Sequence, residues 1–246
     1  MEDRRAKLKS IIRKNSLLAK VMQWIFDPAF TPTYLIDNWV HRQEGIILNF
    51  GSGSRDLGPS VINLDIEPFA NVHVVSQSDR VPFKDNSCDA VLLEYVLEHV
   101  ENYSDLLREV IRVLKPGAPV LVTVPFRQNY HACPSDYWRF THEGLQNLFQ
   151  QLGFKNIQVE VYGGPTSAWI DSTKEFLATI FSFGIPFLFD ILSQLFIIPF
   201  IPLRYFDILL RKLSVAKYTA FSFKLTAQKE GLYQKNPAAD ILTTRT

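Results

Sequence analysis

Apolar and polar positions change rhythm along the chain. Leu8, Ile11, Ile12, Leu17, Leu18, Val21, Met22 and Ile25 recur at helical spacing with basic residues between them, which predicts an amphipathic helix over residues 4–26. Asp27-Pro28 ends it. From Gly45 onward short apolar runs alternate with helical patterns. The runs predict strands over residues 46–50, 61–65, 72–75, 90–93, 120–124 and 157–161. Residues 104–114 predict a helix, with Ser104 as N-cap and Lys115-Pro116-Gly117 as its stop. Thr141 is placed to cap a helix that runs to Leu152, with Gly153 closing it. Residues 219–226 alternate with period two and predict a seventh strand returning beside the sixth.

Apolar strands alternating with helices predict an α/β fold. The expected form is a doubly wound, seven-stranded, mostly parallel sheet covered on both faces, with a hydrophobic helical insertion between the last two strands. Its ligand is expected beyond the carboxyl ends of the strands. The implied organisation is a basic helix and lead-in over 1–44, the sheet domain over 45–161 and 218–230, the insertion over 162–217, and a polar tail over 231–246.

Charge changes this picture at two places. The net charge of +1 gives no sign of a general nucleic-acid binder. Arg4, Arg5, Lys7, Lys9, Arg13, Lys14 and Lys20 nevertheless crowd the first helix, which fits either packing on the domain or an anionic membrane. Residues 176–203 carry a single charge, Asp190. That stretch is long enough to cross a bilayer, but Gly184, Pro186, Asp190, Pro199 and Pro202 interrupt it, and basic residues follow it. An in-plane or re-entrant hairpin fits better. A monotopic anchor, an apolar lid and a dimer interface all remain open for it. The two cysteines, Cys88 and Cys133, form no CxxC pair, so neither a disulfide nor a metal site is expected. No signal peptide is expected either, which points to the cytoplasmic side.

The chemistry begins in the turn Asn49-Phe50-Gly51-Ser52-Gly53. Two glycines around one residue let the backbone approach a ligand closely. Asp65, ending the second strand, offers a carboxylate to a ribose. Asp56 stands at the third glycine position of a dinucleotide fingerprint, where its charge would repel a pyrophosphate. NAD is therefore disfavoured.

The segments ILNFGSGS and VINLDIEPF, then RVPFKDNSCDAVLLEYVLEHV, LLREVIRVLKPGAPVLVTVP and DYWRFTHEGLQNLFQQLGF, occur in this order over residues 45–161. This run resembles the class I S-adenosylmethionine-dependent methyltransferases, in their small-molecule, type 11 branch. The resemblance implies S-adenosylmethionine as cofactor. Gly51, Ser52 and Gly53 would line its methionine part with Asn49, Asp65 would hold the ribose, and Ile66 would lie against the adenine. Gln77 and Ser78 would sit at the adenine edge and Glu94 near the methionine. The chain departs from the pattern at Asn49, where the family often has Asp, and at Ser52, where it often has Cys. Asn49 supplies no charge for the cofactor's amino group.

An acceptor hydroxyl needs a base. His99, in the LEHV segment, and His131, in the loop after the fifth strand, are the candidates, and both titrate in the useful range. Simple packing is the competing explanation for each. Asp136 and Arg139 are spaced for a local ion pair. The implied activity is methyl transfer, at oxygen, to a small or lipid-linked acceptor at a membrane surface. The rival is a non-catalytic protein that keeps the fold.

Overall fold

The structure is a computed structural model that describes residues 29–77 and 80–230. The basic helix expected over 4–26, the tail from 231, and Ser78 lie outside the described residues. Seven strands form one sheet: β1 Ile47–Phe50, β2 Val61–Asp65, β3 Val74–Val75, β4 Ala90–Glu94, β5 Pro119–Pro125, β6 Phe154–Gly163 and β7 Ser222–Lys229. Their order is β3-β2-β1-β4-β5-β7-β6. The first five are parallel, and β7 runs antiparallel to both β5 and β6. Chain order reverses between β1 and β4, which puts the switch point, and hence the expected ligand crevice, at their carboxyl ends.

The sheet is sealed on two faces by alternate residues. Leu48, Phe50, Val91, Leu93, Val120 and Val122 point to one face. There they meet helix α2, Tyr103–Val113, and helix α3, His142–Gln151, through Leu106, Val110, Leu145 and Phe149. Ile47, Ala90, Leu92 and Leu121 point to the other face and meet Ile36 and Val40 of helix α1, Tyr34–Val40. Sequence periodicity did not mark α1.

The winding is less regular than expected. Among the described residues no helix connects β1 to β2, β2 to β3 or β3 to β4. Gly51, Gly53 and Gly58 all take positive φ, and Pro59 follows, so the first connection cannot wind into a helix. Leu57 plugs the second face in its place, beside α1. Two boundaries also move. Helix α2 begins at Tyr103 rather than Ser104, with Asn102 at the cap position. Strand β7 begins three residues late, because residues Ser214–Tyr218 are wound into a 3-10 turn. Thr141 caps α3 as expected, its hydroxyl accepting from the Gly144 N–H at 3.0 Å.

Between β6 and β7 the chain forms helix α4, Pro165–Phe181, helix α5, Pro186–Leu195, a 3-10 segment Ile198–Phe206, and the short helix α6, Asp207–Leu210. Pro165 and Pro186 each open a helix, where the missing N–H costs nothing. Asp207 ties this segment shut. Its carboxylate, fully buried, accepts from the N–H groups of Thr166 and Ser167 at 2.9 and 2.8 Å and from the Ser167 hydroxyl at 2.6 Å. An anion at the N-terminus of α4 also suits the helix dipole.

Candidate functional site

The turn after β1 is stitched to the end of β2. The Gly53 N–H donates to the Asp65 carboxylate at 2.7 Å, and Ser52 N–H donates to the Leu64 carbonyl at 3.1 Å. Gly51 adopts φ +60°, and a Cβ there would fall 2.7 Å from a methyl of Val96. Only glycine fits that position on both counts.

A cavity of about 1420 Å³ opens beside this turn. It exceeds the roughly 300–1,000 Å³ of ordinary ligand pockets, leaving room for a cofactor and an acceptor together. Asn49, Gly51, Ser52 and Glu94 line it, and so do His99 and His131. The structure thus gathers six of the residues singled out in the sequence. Gly53, Asp65, Ile66 and Gln77 lie outside the lining. The Asp65 carboxylate is spent on the N–H groups of Gly53 and Glu67, although each oxygen keeps a lone pair. Ile66, past the end of β2, and Gln77, past the end of β3, are exposed.

Two polar networks shape the turn end. Asn49 donates to the Asn63 side chain at 3.0 Å, and Asn63 donates to the Asn71 carbonyl at 3.1 Å. Arg55, which sequence reasoning missed, reaches Asp37 of α1 at 2.7 Å and also pairs with Glu94. Burial pushes the Glu94 carboxyl up, against the opposing pull of Arg55. Burial alone would lower Arg55, but Glu94 and Asp37 outweigh it and hold the guanidinium above its usual value. The three side chains carry two negative charges against one positive. No spacing rule marks Arg55 in advance, since its partners lie 18 and 39 residues away.

The other end is built from side chains. Residues Leu97–His99 form a 3-10 turn just past β4. Tyr95, before that turn, holds φ +54°, a strained value for a bulky residue at the mouth of the site. Its hydroxyl donates to Ser222 of β7 at 2.7 Å. His99 Nδ1 lies 2.6 Å from the Ser135 carbonyl, and His131 Nδ1 lies 2.9 Å from the Asn129 carbonyl. A carbonyl only accepts, so each Nδ1 carries a proton and each neutral ring keeps its lone pair on Nε2. The two rings meet edge to face at 5.1 Å. Both Nε2 atoms stand 3.8 Å from Oε1 of Glu98, whose side chain is fully buried. Burial lowers the affinity of His131 for a proton, but Glu98, the Asn129 carbonyl and Asp136 together raise it above the ordinary imidazole value.

The loop that carries His131 is held from two sides. Asp136 and Arg139 form the expected ion pair, at 2.5 and 2.7 Å. Arg139 draws the Asp136 carboxyl down to about 2. Asp136 in turn accepts from the His131 N–H at 2.8 Å. From α4, Asp171 accepts the Asn129 N–H at 2.8 Å through its carboxylate, and its carbonyl accepts from the Asn129 side chain at 2.8 Å. The insertion is thereby bonded directly to the residue that orients His131.

Comparison with known proteins bears on the fold and the class of protein. Residues 55–122 match a family described as a methyltransferase domain, of the type 11 group. A demethylmenaquinone methyltransferase of Staphylococcus saprophyticus is 25% identical over 158 residues, which covers 52% of this chain and 66% of that protein. One from Staphylococcus carnosus is 29% identical over 172 residues, covering 50% and 69%. The ubiquinone/menaquinone biosynthesis C-methyltransferase UbiE of Pseudomonas fluorescens is 40% identical over 60 residues, covering 24% and 23%. The chain therefore spans from under a quarter to about two thirds of the length of these relatives. Among solved structures, an S-adenosylmethionine-dependent methyltransferase from Thermotoga maritima, titled a possible histamine N-methyltransferase, superposes with a TM-score of 0.52. It is 15% identical and covers 90% of this chain and 99% of that one. A [4+2]-cyclase, SpnF, superposes at 0.51 with 16% identity, covering 81% and 80%. These likenesses show the fold. The match over residues 55–122 and the curated relatives support a class I S-adenosylmethionine-dependent methyltransferase of the type 11 branch, with S-adenosylmethionine as its cofactor.

Proposed function

We propose that this chain methylates a hydroxyl-bearing ring on a small or lipid-linked acceptor at a membrane face. One observation carries the reading: a single cavity is lined by the glycine turn at one end and by two oriented histidines, His99 and His131, at the other. When bound, S-adenosylmethionine supplies a methyl group already activated on sulfur. The residues of this chain do the remaining work. Glu94 and Asp37 would provide the negative charge that Asn49 lacks for the cofactor's amino group, and Arg55, which they hold, would supply positive charge for its carboxylate. Asp65 retains lone pairs for the ribose hydroxyls. His131, with His99 beside it, takes the proton of the acceptor hydroxyl, and its raised proton affinity favours that role. The names of the relatives support a quinone-like ring as the acceptor. An ionised ring hydroxyl is a nucleophile at oxygen and also at the adjacent carbon. We assign oxygen.

The insertion supports the membrane face. Seventeen of the twenty-four exposed large apolar side chains among the described residues lie between Trp169 and Tyr218. No single helix there is long and apolar enough to cross a bilayer, but Pro186–Leu195 and Ile198–Leu210 form an apolar pair bent by 52°. A bent apolar pair can lie in the interface without exposing backbone to lipid.

A titration with S-adenosylmethionine, S-adenosylhomocysteine and NAD tests the cofactor, followed by transfer of a labelled methyl group into lipid extracts. Binding of both sulfur compounds but not NAD, with label recovered on a hydroxylated ring, is expected. Absence of binding sinks the reading. Binding without any labelled product favours the non-catalytic alternative, toward which Asn49, committed to Asn63, already leans.

A further inference from the structure

Glu98 is a fully buried carboxylate, and neither of its oxygens has a hydrogen-bond partner among the described residues. His131 Nε2 is buried and equally unpartnered. Both Nε2 atoms lie at 3.8 Å from Oε1, beyond hydrogen-bond reach. A buried anion left in this state is costly. A cation shared by the three groups would satisfy the carboxylate and both ring nitrogens at once.

We propose that Glu98, His99 and His131 bind one divalent transition-metal ion. One ligand atom from each residue lies within 4.8 Å of the others. Bonds of about 2.0–2.2 Å to a tetrahedral ion put neighbouring ligand atoms about 3.4 Å apart. The two carboxylate–imidazole separations of 3.8 Å close around an ion by a few tenths of an ångström, and the two imidazole nitrogens, within 4.8 Å of each other, close by a side-chain adjustment of about an ångström at most. The outer shell is also in place. Each histidine donates its Nδ1 proton to a backbone carbonyl, that of Ser135 or Asn129, and so aims its Nε2 lone pair inward. Metal-bound histidines are held in this way.

The donor set selects the metal. Two imidazoles and one carboxylate suit zinc or ferrous iron, whereas magnesium and calcium take all-oxygen shells. Three protein ligands leave at least one position free. His99 and His131 both line the cavity, so that position faces the space beside the glycine turn. An oxygen of a bound ligand would complete the shell there, and the ion would hold it as an anion at neutral pH. The two cysteines, on which the expectation of no metal rested, supply no ligand to this cluster.

Metal uptake can be read without cofactor, acceptor or turnover, so it is tested apart from methyl transfer itself; an occupied site takes up the Nε2 lone pair of His131, and the ion then replaces His131 as the group that ionises the acceptor oxygen. Full-length protein is stripped with chelator and titrated with zinc, and then with cobalt(II), whose visible spectrum reports coordination. The result expected is one ion per chain, with a cobalt spectrum of low coordination number. Glu98→Gln preserves shape and should weaken binding by at least about a hundredfold, more than loss of an outer-shell group would. His131→Ala should do the same, and circular dichroism confirms that each variant is folded. If Glu98→Gln does not fold, His99→Ala serves in its place. A folded protein that takes up neither ion overturns the site. So does undiminished binding in folded Glu98→Gln and His131→Ala variants. S-adenosylmethionine binding, measured on the same stripped sample, shows whether the rest of the cleft is intact.

Discussion

The two ends of the cleft are built in different ways. The turn end is made by the backbone: Gly51 and Gly53 at positive φ, stitched to β2 through Asp65. The histidine end is made by side chains on a turn and a loop, oriented by carbonyls of Ser135 and Asn129 and held by Asp136, Arg139 and Asp171. A backbone turn tolerates change in what surrounds it. A side-chain cluster depends on every group that aims it. The first end should therefore govern cofactor affinity and the second should govern turnover.

The sharpest test of this division is His131→Ala. Loss of a positioned base costs roughly 10²–10⁴ in rate, so turnover should fall at least about tenfold. Cofactor affinity should stay where it was, because the glycine turn is untouched. Unchanged turnover on the true acceptor would remove His131 from the chemistry. A parallel loss of cofactor binding would show that the two ends are not separable.

The reverse experiment is Gly51→Ala. The added methyl would collide with Val96, and φ of +60° costs a residue with a side chain about 1–2 kcal/mol. Cofactor affinity should drop roughly tenfold, measured by calorimetry, while the rate at saturating cofactor changes less. The opposite split between affinity and rate would contradict the assignment of this end.

The same contrast explains what could be read from the chain in advance. All seven sheet strands and the helices α2 and α3 were legible, because alternation of apolar residues and turn chemistry act over a few positions. The turn Asn49 to Gly53 was legible for the same reason. Arg55 was not, because it acquires its meaning only when folding brings Asp37 and Glu94 to it. The carboxylate of Glu98 was hidden in a different way. It sits in an ordinary-looking turn, and its buried, unpartnered state depends on a loop more than thirty residues later. Helix α1 is seven residues long, too short to show a clear period. Regular winding fails at the first crossover because Gly51, Gly53 and Gly58, at positive φ, forbid a helix there.

A third test asks whether the insertion belongs to the histidine end. Asp171→Ala removes the carboxylate that holds the Asn129 N–H, while Asn129 still orients His131. Leaving that buried donor unpaired costs about 1–3 kcal/mol. Thermal stability should fall accordingly. Turnover should fall severalfold with cofactor affinity unchanged, because Asp171 positions His131 without touching a substrate. A stability loss with turnover preserved would make the link between α4 and the loop purely structural.

The smallest effect on the fold is expected on the outer face of the same insertion. Phe183 is 84% exposed and Phe187 is 59% exposed, so neither holds the protein together. Phe183→Ser with Phe187→Ser should leave the melting temperature within the scatter expected for surface changes, about 0.5 kcal/mol. Methyl transfer to a water-soluble acceptor should also be unchanged. Flotation with anionic liposomes should tell a different story: the parent protein rises with the vesicles, and the double variant stays behind. If the parent itself remains in the soluble fraction, the exposed side chains of the insertion face something other than lipid. In that case the inner face of the insertion, where Asp171 meets Asn129, would be its whole contribution to the site.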